Sequence, residues 1–577
     1  MLRKDRLYEV RPVNDLKDML SQSVSLFGDY AAFRQKGLDG QISEITYKEF
    51  CADISAFGTA LLDLGFSNKK IAVIGENRYE WCVTYLSVVN GVGTIVPLDR
   101  ELPVDDLQYL LEQSEASAVI FSEKSLEQVD SVLGKLPSVK SWICMDKIED
   151  ERFLYYTALL DNGRKAINAG SDEYEKTVIN PDDPLILLFT SGTTGYAKGV
   201  MLSHTNICSV ITGVSATVSV KPTDSVLSIL PLHHTYECTL GFLTIIYSGA
   251  SIAFSEGLKY ISKNLNEYKP TFLVTVPLLL ENVYKKVWNQ AKKQKGLKRK
   301  LIIGQLVSSF LYNVLGIDIR RKLFKQIHEN VGGNLSTFIT GAAAIDPKIS
   351  KGFRKWGFSV LQGYGLTECA PLVTGNRDNC CRDGSAGIAI PGVEIKINNP
   401  DRKGIGEIFV KGSNVMLGYF NNLKETNNVL VNGWFHTGDL GRITREGFLY
   451  ITGRCKNVIV TKNGKNIFPE ELESYIKNSP YVAECVVYGE LDENTGETRV
   501  MANIFPNLEA IKETLKNFAN SINTEDIHNL LQEVIKNVNR RIPLYKHIRD
   551  IIIRESEFEK TTSRKIKRYA QQLPSSE

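Results

Sequence analysis

"LLFTSGTTGYAKGVMLSH", Leu187 to His204, is neither ordinary core nor ordinary surface. Its start, part of "LILLF", is apolar throughout and reads as a buried strand. Directly afterwards Thr190, Ser191, Thr193 and Thr194 bring hydroxyls, glycines stand at 192, 195 and 199, and Lys198 adds one cation. Glycine lets backbone N–H groups converge on one object without interference from a Cβ. Donors at this density beside a positive charge, delivered at the carboxyl end of a strand, suit a polyphosphate. The spacing is not the Walker pattern GxxxxGK[ST], and the chain contains no such match.

Outward from this stretch, strand-like and helix-like runs alternate. "KKIAVIG" (Lys69 to Gly75) precedes the helical "RYEWCVTYLSVVNGV", then come "GTIVPL", the helix-patterned "VDDLQYLLEQSEA" and "SAVIFS". This order predicts a parallel, doubly wound α/β sheet. From Gly392, "VEIKIN", "GEIFVKG" and "GFLYITGR" alternate between glycine turns, as in a small antiparallel β-subdomain. After Arg454 come "NVIVT", the helix-like "PEELESYIKN", "VAECVVYGE" and a long amphipathic segment, sized for a small α+β domain. The expected fold class is α/β. A large, multi-lobed amino-terminal domain is expected over 1–453, with its β-subdomain at about 380–453, and a smaller α+β domain over 454–577.

At 577 residues the chain is too long for one small core. A formal charge of +3 gives no bulk electrostatic case for nucleic acid. Ten scattered cysteines without a CxxC predict reduced thiols in a cytoplasmic protein. No HExxH or similar ligand pair points to zinc. "MLRKDRLYEVRPVNDLKDML" lacks an apolar core and carries acids early, so no signal peptide is expected. The longest apolar stretch, Cys238 to Phe254, falls short of the ~20 residues a spanning helix needs. Glycine and serine interrupt it where a helix would turn into a strand. From Lys285 to Lys300, "KKVWNQAKKQKGLKRK" holds eight basic residues and no acid. It reads either as a solvated helix face or as a cationic, Trp288-bearing contact with a membrane surface.

Further motifs follow the opening stretch in order: "PLHHTYE" (Pro231 to Glu237), "TGAAA" (Thr340 to Ala344), "QGYGLTE" (Gln362 to Glu368), "GWFHTGDLG" (Gly433 to Gly441), "GRCKN" (Gly453 to Asn457) and "EKTTSRKIKR" (Glu559 to Arg568). Together they resemble the adenylate-forming superfamily of acyl-CoA synthetases, peptide-synthetase adenylation domains and luciferases. The resemblance spans essentially the whole chain. It implies a two-step reaction: a carboxylate takes the α-phosphorus of ATP and expels pyrophosphate, then a thiol displaces AMP.

The groups that react are anionic, so such a site must neutralise charge and hold atoms in line. Thr190, Ser191, Gly192, Thr193, Thr194, Gly195 and Lys198 are the expected phosphate grip. By resemblance, Gly341, Ala342, Ala343, Gln362, Gly363, Tyr364 and Gly365 border the nucleotide, with Tyr364 on the adenine. Thr367 is implied to touch phosphate and Glu368 to hold Mg²⁺ through the phosphates. Asp439, a lone acid in a glycine turn, can accept from both ribose hydroxyls, and Arg454 is implied beside it. From the residues alone, core, turn-acid, cap and surface readings stay open for Tyr364, Glu368, Asp439 and Arg454. His234 is either structural or, by resemblance, the gate of the carboxylate entry. His233 lacks that match, and His204 and His436 read as structural or supporting.

Lys565 takes the family role of the lysine that reaches the α-phosphate and the substrate carboxylate. Arg564 replaces the family glycine there, Glu559 stands where proline is common, and Lys560 and Lys567 compete for the role. Ala197 replaces a family proline without removing a donor. Lys456 is the implied hinge about which a mobile carboxyl-terminal domain turns between the half-reactions. The nucleophilic sulfur belongs to the substrate, and the chain has no GxSxG elbow.

"GKNIFPEELE" and the basic insertion between Val276 and Thr340 resemble the long-chain fatty acyl-CoA synthetase branch. A fatty acid, ATP with Mg²⁺, and coenzyme A are the expected ligands. A carrier-protein phosphopantetheine is the alternative acceptor, and a catalytically silent lipid-binding scaffold is the alternative of another class. No fused carrier is expected, because twelve residues follow Lys565 and no DSL-like serine occurs. The expected location is the cytoplasm, with peripheral membrane contact through 285–300.

Overall fold

The computed structural model describes residues 6–37, 39–190, 197–294, 296–460, 466–491, 498–515, 524–560, 566 and 568. Two large sheets dominate. The first has eight strands in the order Gly418–Tyr419, Lys198–Leu202, Ile186–Thr190, Gly93–Leu98, Lys69–Ile74, Ala118–Phe121, Ser141–Cys144 and Leu154–Tyr155. From Ile186–Thr190 to Leu154–Tyr155 all neighbours are parallel, while Lys198–Leu202 and Gly418–Tyr419 add an antiparallel edge. Parallel strands covered on both faces are apolar along their length, which explains "IAVI" and "AVIF". Ala72, Ile74, Val96, Leu98, Val119 and Phe121 bury against Leu107 and Leu111 of helix Val104–Ser114.

The second sheet has nine strands, in the order Ile388–Ala389, Leu372–Gly375, Ser359–Gly365, Thr337–Thr340, Phe272–Thr275, Ser225–Ser228, Ser251–Phe254, Ala31–Lys36 and Ile42–Thr46. Its middle is parallel and both edges are antiparallel. Leu273, Phe338 and Val360 pack against Phe353 and Trp356, whose side chains are wholly buried. The Cys238–Phe254 stretch breaks as its glycine suggests. Helix Thr244–Ser248 ends on Gly249 at φ 78°, and strand Ser251–Phe254 follows. A doubly wound α/β architecture is thus present twice.

A five-stranded sheet of short strands, Val393–Asn398, Gly406–Gly412, Leu430–Val431, Trp434–Ile443 and Leu449–Arg454, occupies the stretch expected to form a β-subdomain. The chain divides into two compact units. The larger comprises Met1–Ile395, Val410–Phe435 and Thr444–Leu449, and the smaller Lys396–Phe409, His436–Ile443 and Tyr450–Glu577. The division is not a single cut at 453/454, because strands distant in sequence pair with one another. Within the smaller unit, strands Val482–Leu491, Thr498–Pro506 and Ile548–Ile553 form a sheet. Its residues Val487 and Ile504 bury against Leu472 and Ile476 of helix Pro469–Lys477 and Leu531 and Ile535 of helix Thr524–Asn539.

Phe353→Ala empties the middle of the cluster under the nine-stranded sheet. The expected cost is about 3–5 kcal/mol, read as a lower urea midpoint with an unchanged slope.

Candidate active site

Both sheets deliver their parallel strands' carboxyl ends to the residues singled out in the sequence, as is usual for open α/β sheets. In the eight-stranded sheet, Ile186–Thr190 and Lys198–Leu202 are antiparallel with Thr190 opposite Lys198, so both ends of the glycine–hydroxyl stretch are fixed one ladder step apart. Ser191, Gly192, Thr193, Thr194 and Gly195 lie outside the described residues. Lys198 Nζ sits 2.7 Å from Glu425 Oε2 and 5.1 Å from the centre of the Tyr419 ring.

In the nine-stranded sheet, Thr340 pairs with Gln362, which brings Gly341, Ala342 and Ala343 beside Gln362, Gly363, Tyr364 and Gly365. Ala342 holds φ at 66°, the left-handed region that favours glycine, at a cost of roughly 1–2 kcal/mol. Gly365 cannot be larger, since a Cβ there would lie inside the Pro371 carbonyl. The Gln362 backbone carbonyl accepts from Asn376 N at 2.9 Å and from its Nδ2 at 3.1 Å. Its buried side-chain Oε1 has no hydrogen-bond partner among the described residues.

Thr367 and Glu368 follow in a short helical turn, Thr367–Cys369. Glu368 Oε1 accepts from the Tyr419 hydroxyl at 3.0 Å, and its backbone carbonyl accepts from Met416 N at 2.8 Å. Burial, reinforced by the neighbouring Glu368 carboxylate, pushes the Tyr419 phenol well above its ordinary range, so it stays a donor. Tyr419 pairs with Val200, two positions past Lys198. Strand Lys198–Leu202 and the Glu368 turn therefore meet through one tyrosine.

"PLHHTYE" reaches the same edge. The Tyr236 hydroxyl lies 3.0 Å from Thr275 O and 3.1 Å from Ile339 O, spanning the ends of two parallel strands. Its ring faces Gly341 closely enough that a Cβ would come within 3.2 Å. His234, two residues earlier, has its backbone carbonyl bound by Cys238 N at 3.0 Å. Its ring centroid lies 4.3 Å from that of His233. His233 Nε2 is 3.5 Å from Asp99 Oδ2, yet burial lowers the His233 pKa to about 3, with Arg100 adding to the effect. The histidine is therefore neutral, and this is no ion pair at neutral pH. Asn77 donates to Ser228 Oγ at 2.8 Å and to Leu230 O at 2.6 Å, and accepts from Leu232 N at 3.0 Å, fixing the loop before the histidines. His204 is structural: it is buried, accepts from Leu16 N at 3.2 Å, and has a pKa lowered to about 3 by burial.

The smaller unit holds a second cluster. Arg454 Nε meets Asp439 Oδ1 at 3.0 Å, with the Asp439 side chain almost fully buried. Asp439 N donates to Thr437 Oγ1 at 3.0 Å, and Gly438 N donates to Glu407 at 3.1 Å. His436 stacks on Phe409 at 3.8 Å, a packing role. Lys456 lies in the turn Cys455–Asn457 and borders a cavity of about 230 Å³ lined also by Val487, Tyr488, Thr498 and Arg568. Lys565 and Lys567 lie outside the described residues, while Lys560 and Arg568 lie within them. Lys560 is ion-paired to Glu484 and Glu557, and Arg568 grips both Glu473 oxygens at 2.5 and 2.6 Å. Both cations serve acids of their own unit, as Lys198 serves Glu425 in the larger one.

Tyr419 and Glu425 were not foreseen; they stand in "GYFNNLKET", which carries no periodicity or motif spacing. Tyr236 and Glu237 lay inside a motif already singled out, where attention to the histidines passed them over.

The larger unit thus presents hydroxyl, amide, ammonium and carboxylate groups at the carboxyl ends of two parallel sheets, the equipment of an enzyme that handles a nucleotide polyphosphate. Residues 20–420 match the AMP-binding enzyme family, and 471–565 match the AMP-binding enzyme C-terminal domain. The chain belongs to this family. It is 31% identical over 510 residues to fatty acyl-CoA synthetase A of Dictyostelium discoideum, covering 84% of this chain and 74% of that one. It is 31% identical over 482 residues to long-chain-fatty-acid–CoA ligase 5 of Rattus norvegicus, covering 77% and 69%. The fold is shared with the Mycobacterium tuberculosis fatty acyl CoA synthetase, with a TM-score of 0.65 at 22% identity over 96% and 97% of the two chains. It is also shared with the anthranilate CoA ligase AuaEII in complex with anthranoyl-AMP, with a TM-score of 0.76 at 19% identity over 97% of each.

Tyr419→Phe removes the hydroxyl that orients Glu368 and leaves the ring under Lys198. We expect kcat/KM for ATP to fall about tenfold, with the thermal midpoint nearly unchanged. A second test concerns Glu237, whose Oε1 accepts from Ser228 at 2.6 Å and whose pKa burial raises from 4.5 to about 8, against that hydrogen bond. Between about pH 4.5 and pH 8 the native state keeps a proton that the unfolded chain has released. Stability from this group is therefore complete below the lower value and lost as pH rises through the upper one. The melting midpoint of Glu237→Gln, measured against pH, should gain on the wild type from pH 5 to 8.

Proposed function

We propose that the protein is an AMP-forming ligase that joins a long-chain fatty acid to coenzyme A. In the first half-reaction a carboxylate oxygen bonds to the α-phosphorus of ATP, and the bond to the pyrophosphate oxygen breaks. In the second, the CoA thiol loses its proton, its sulfur attacks the acyl carbon, and AMP leaves with the electron pair of the acyl–oxygen bond. The observation that carries this reading is that Thr190 and Lys198 at the edge of one sheet, and Gly341–Ala343 and Gln362–Gly365 in the other, are joined through Tyr419 and the Glu368 turn, with Tyr236 bound at the strand ends beside Gly341. The names of the relatives supply the substrate class.

Each residue has a role in that chemistry. Thr190 and Lys198, with Ser191–Gly195, hold the phosphates through hydroxyls, amides and one ammonium. Gln362 turns a buried, unengaged amide oxygen toward the nucleotide, and Tyr364 supplies a ring for adenine. Asp439 accepts from the ribose hydroxyls, with Arg454 holding it in place at 3.0 Å. His234 borders the entry of the carboxylate, and Lys565 brings a cation to the α-phosphate. Lys456 is the hinge about which the smaller unit turns between the half-reactions.

Glu368 fits the proposed Mg²⁺ as a half-buried carboxylate with one oxygen oriented by Tyr419. Among the described residues no cluster of three His, Cys, Asp or Glu could hold a metal, which suits an ion that takes most of its ligands from phosphate and water. Bound there, Mg²⁺ would supply charge neutralisation for the departing pyrophosphate. The proposed location is the cytoplasm, where ATP and CoA are at hand, with peripheral contact to a membrane through the basic residues of 285–300. All ten cysteines carry free thiols, which is compatible with a reducing compartment.

The test is acid-dependent pyrophosphate release with ATP and Mg²⁺ over a C2 to C18 series, with and without CoA. Release should peak with long chains, and mass spectrometry should find the acyl-CoA. No release with any acid would overturn the ligase reading in favour of a silent scaffold, and thioester formed only on carrier protein would overturn the acceptor. Lys565→Ala should lower adenylation by about 10²–10³-fold.

A further inference from the structure

Helix Leu297–Leu315 is inside out. The side turned into the protein holds Gly304, Gln305 and Ser308, all buried, and Gln305 Nε2 has no hydrogen-bond partner among the described residues. The outward side carries Ile302, Ile303, Leu306, Val307, Phe310 and Val314, exposed by 41, 48, 62, 47, 60 and 62%. At 100° per residue these six fall within one arc of roughly 140° and form a continuous ridge. A soluble helix has the opposite polarity, and an apolar ridge of this size calls for an apolar partner.

Charge indicates which partner. Lys298, Arg299 and Lys300 occupy the first turn of the same helix, with no acid there and no side-chain cap. Cations at a helix amino terminus oppose the helix dipole, so the chain tolerates an unfavourable arrangement that an external anion would relieve. Lys292 and Lys293 end the preceding helix, Pro277–Lys293. No acid occurs in the sequence from 282 to 317. A second copy of this chain is a poor occupant, because a two-fold pairing of this face would set the same cations against one another. An anionic lipid surface satisfies both features, acyl chains meeting the ridge and headgroups meeting the lysines. No described helix is long and apolar enough to cross a membrane, so this one would lie in the plane of the surface.

We propose that helix Leu297–Leu315 inserts its Ile302–Val314 ridge into the outer acyl region of an anionic leaflet, with Lys298, Arg299 and Lys300 at the headgroups. This deepens the peripheral contact proposed above and rests on it only for the sign of the lipid charge.

The test uses the full chain in flotation with vesicles of phosphatidylcholine alone and of equimolar phosphatidylcholine and phosphatidylglycerol. The wild type should float with the anionic vesicles and less with the neutral ones. Leu306→Asp/Phe310→Asp should lower partition by about tenfold or more at constant salt. Phe310→Trp should be quenched by lipids brominated on the acyl chain. A double variant that floats like the wild type would overturn insertion and leave charge alone. A wild type that ignores both vesicles, or that sediments as a dimer dissolved by the double variant, would overturn the lipid as occupant. Thermal midpoints confirm that the variants fold. Pyrophosphate release with octanoate, measured in parallel, should be equal in variant and wild type. Its absence from both, with octanoate and with every longer acid to C18, would strike the ligase reading and leave the flotation result standing.

Discussion

The hydroxyl of Tyr419 ties together groups that would otherwise act against one another. A site for ATP and a carboxylate needs a cation for the phosphates and an acid for the metal. An ammonium and a carboxylate placed near each other in a half-buried cleft tend to pair and cancel. In the larger unit Glu368 is held by a neutral phenol at 3.0 Å, while Lys198 pairs with a different acid, Glu425, at 2.7 Å, with the Tyr419 ring beneath the ammonium, so the Glu368 carboxylate is left without that cation. The arrangement depends on the segment from Asn414 to Phe420. Its Asn414 donates to Leu372 O at 2.9 Å and its Met416 to Glu368 O at 2.8 Å, both at the nine-stranded sheet. Leu417 and Phe420 donate to Met201 O and Gly199 O at 3.0 and 2.7 Å, in the eight-stranded one. Seven residues thus bridge the two sheets and tie strand Lys198–Leu202 to the Glu368 turn.

Much of this was legible in the sequence where the cause is local. Continuous apolar runs of four to six residues mark strands buried on both faces, and "KKIAVIG", "GTIVPL" and "SAVIFS" each contain one. Glycine clusters mark the turns, as at Gly249, where helix gives way to strand. What stayed hidden is non-local. Nothing in "GYFNNLKET" tells that its tyrosine will meet a glutamate 51 positions earlier. The antiparallel edges of both sheets were invisible, since an apolar strand does not announce its direction. The unit boundary could not be read as a single cut, because strands such as Gly406–Gly412 and Trp434–Ile443 pair across long intervening stretches. The polarity of helix Leu297–Leu315 was equally closed to inspection, for apolar residues occur all round it and only packing decides which side faces out.

The smaller unit follows the same economy of charge. Asp439, nearly buried, is matched by Arg454; Glu473, buried enough that its pKa is raised despite Arg568, is gripped at both oxygens; Lys546 is matched by Glu471 at 2.5 Å. Of the tail cations, Lys560 and Arg568 are already committed to acids of their own unit.

Set beside these matched pairs, residues 282–317 are the exception. A chain with a formal charge of +3 over 577 residues has acids enough to neutralise nearly every cation, yet it places eight basic residues together and supplies none there. Within it, helix Leu297–Leu315 turns Ile302, Ile303, Leu306, Val307, Phe310 and Val314 outward and Gly304, Gln305 and Ser308 inward. Either feature alone could be a tolerated cost, since surface charge is well solvated and single exposed leucines are common. Their coincidence on one helix is harder to reconcile with water as the only neighbour. Water rewards the lysines but not the ridge, and an apolar partner rewards the ridge but not the lysines. A surface with anionic headgroups above hydrocarbon rewards both, and it is also where a long-chain acid would have to be collected.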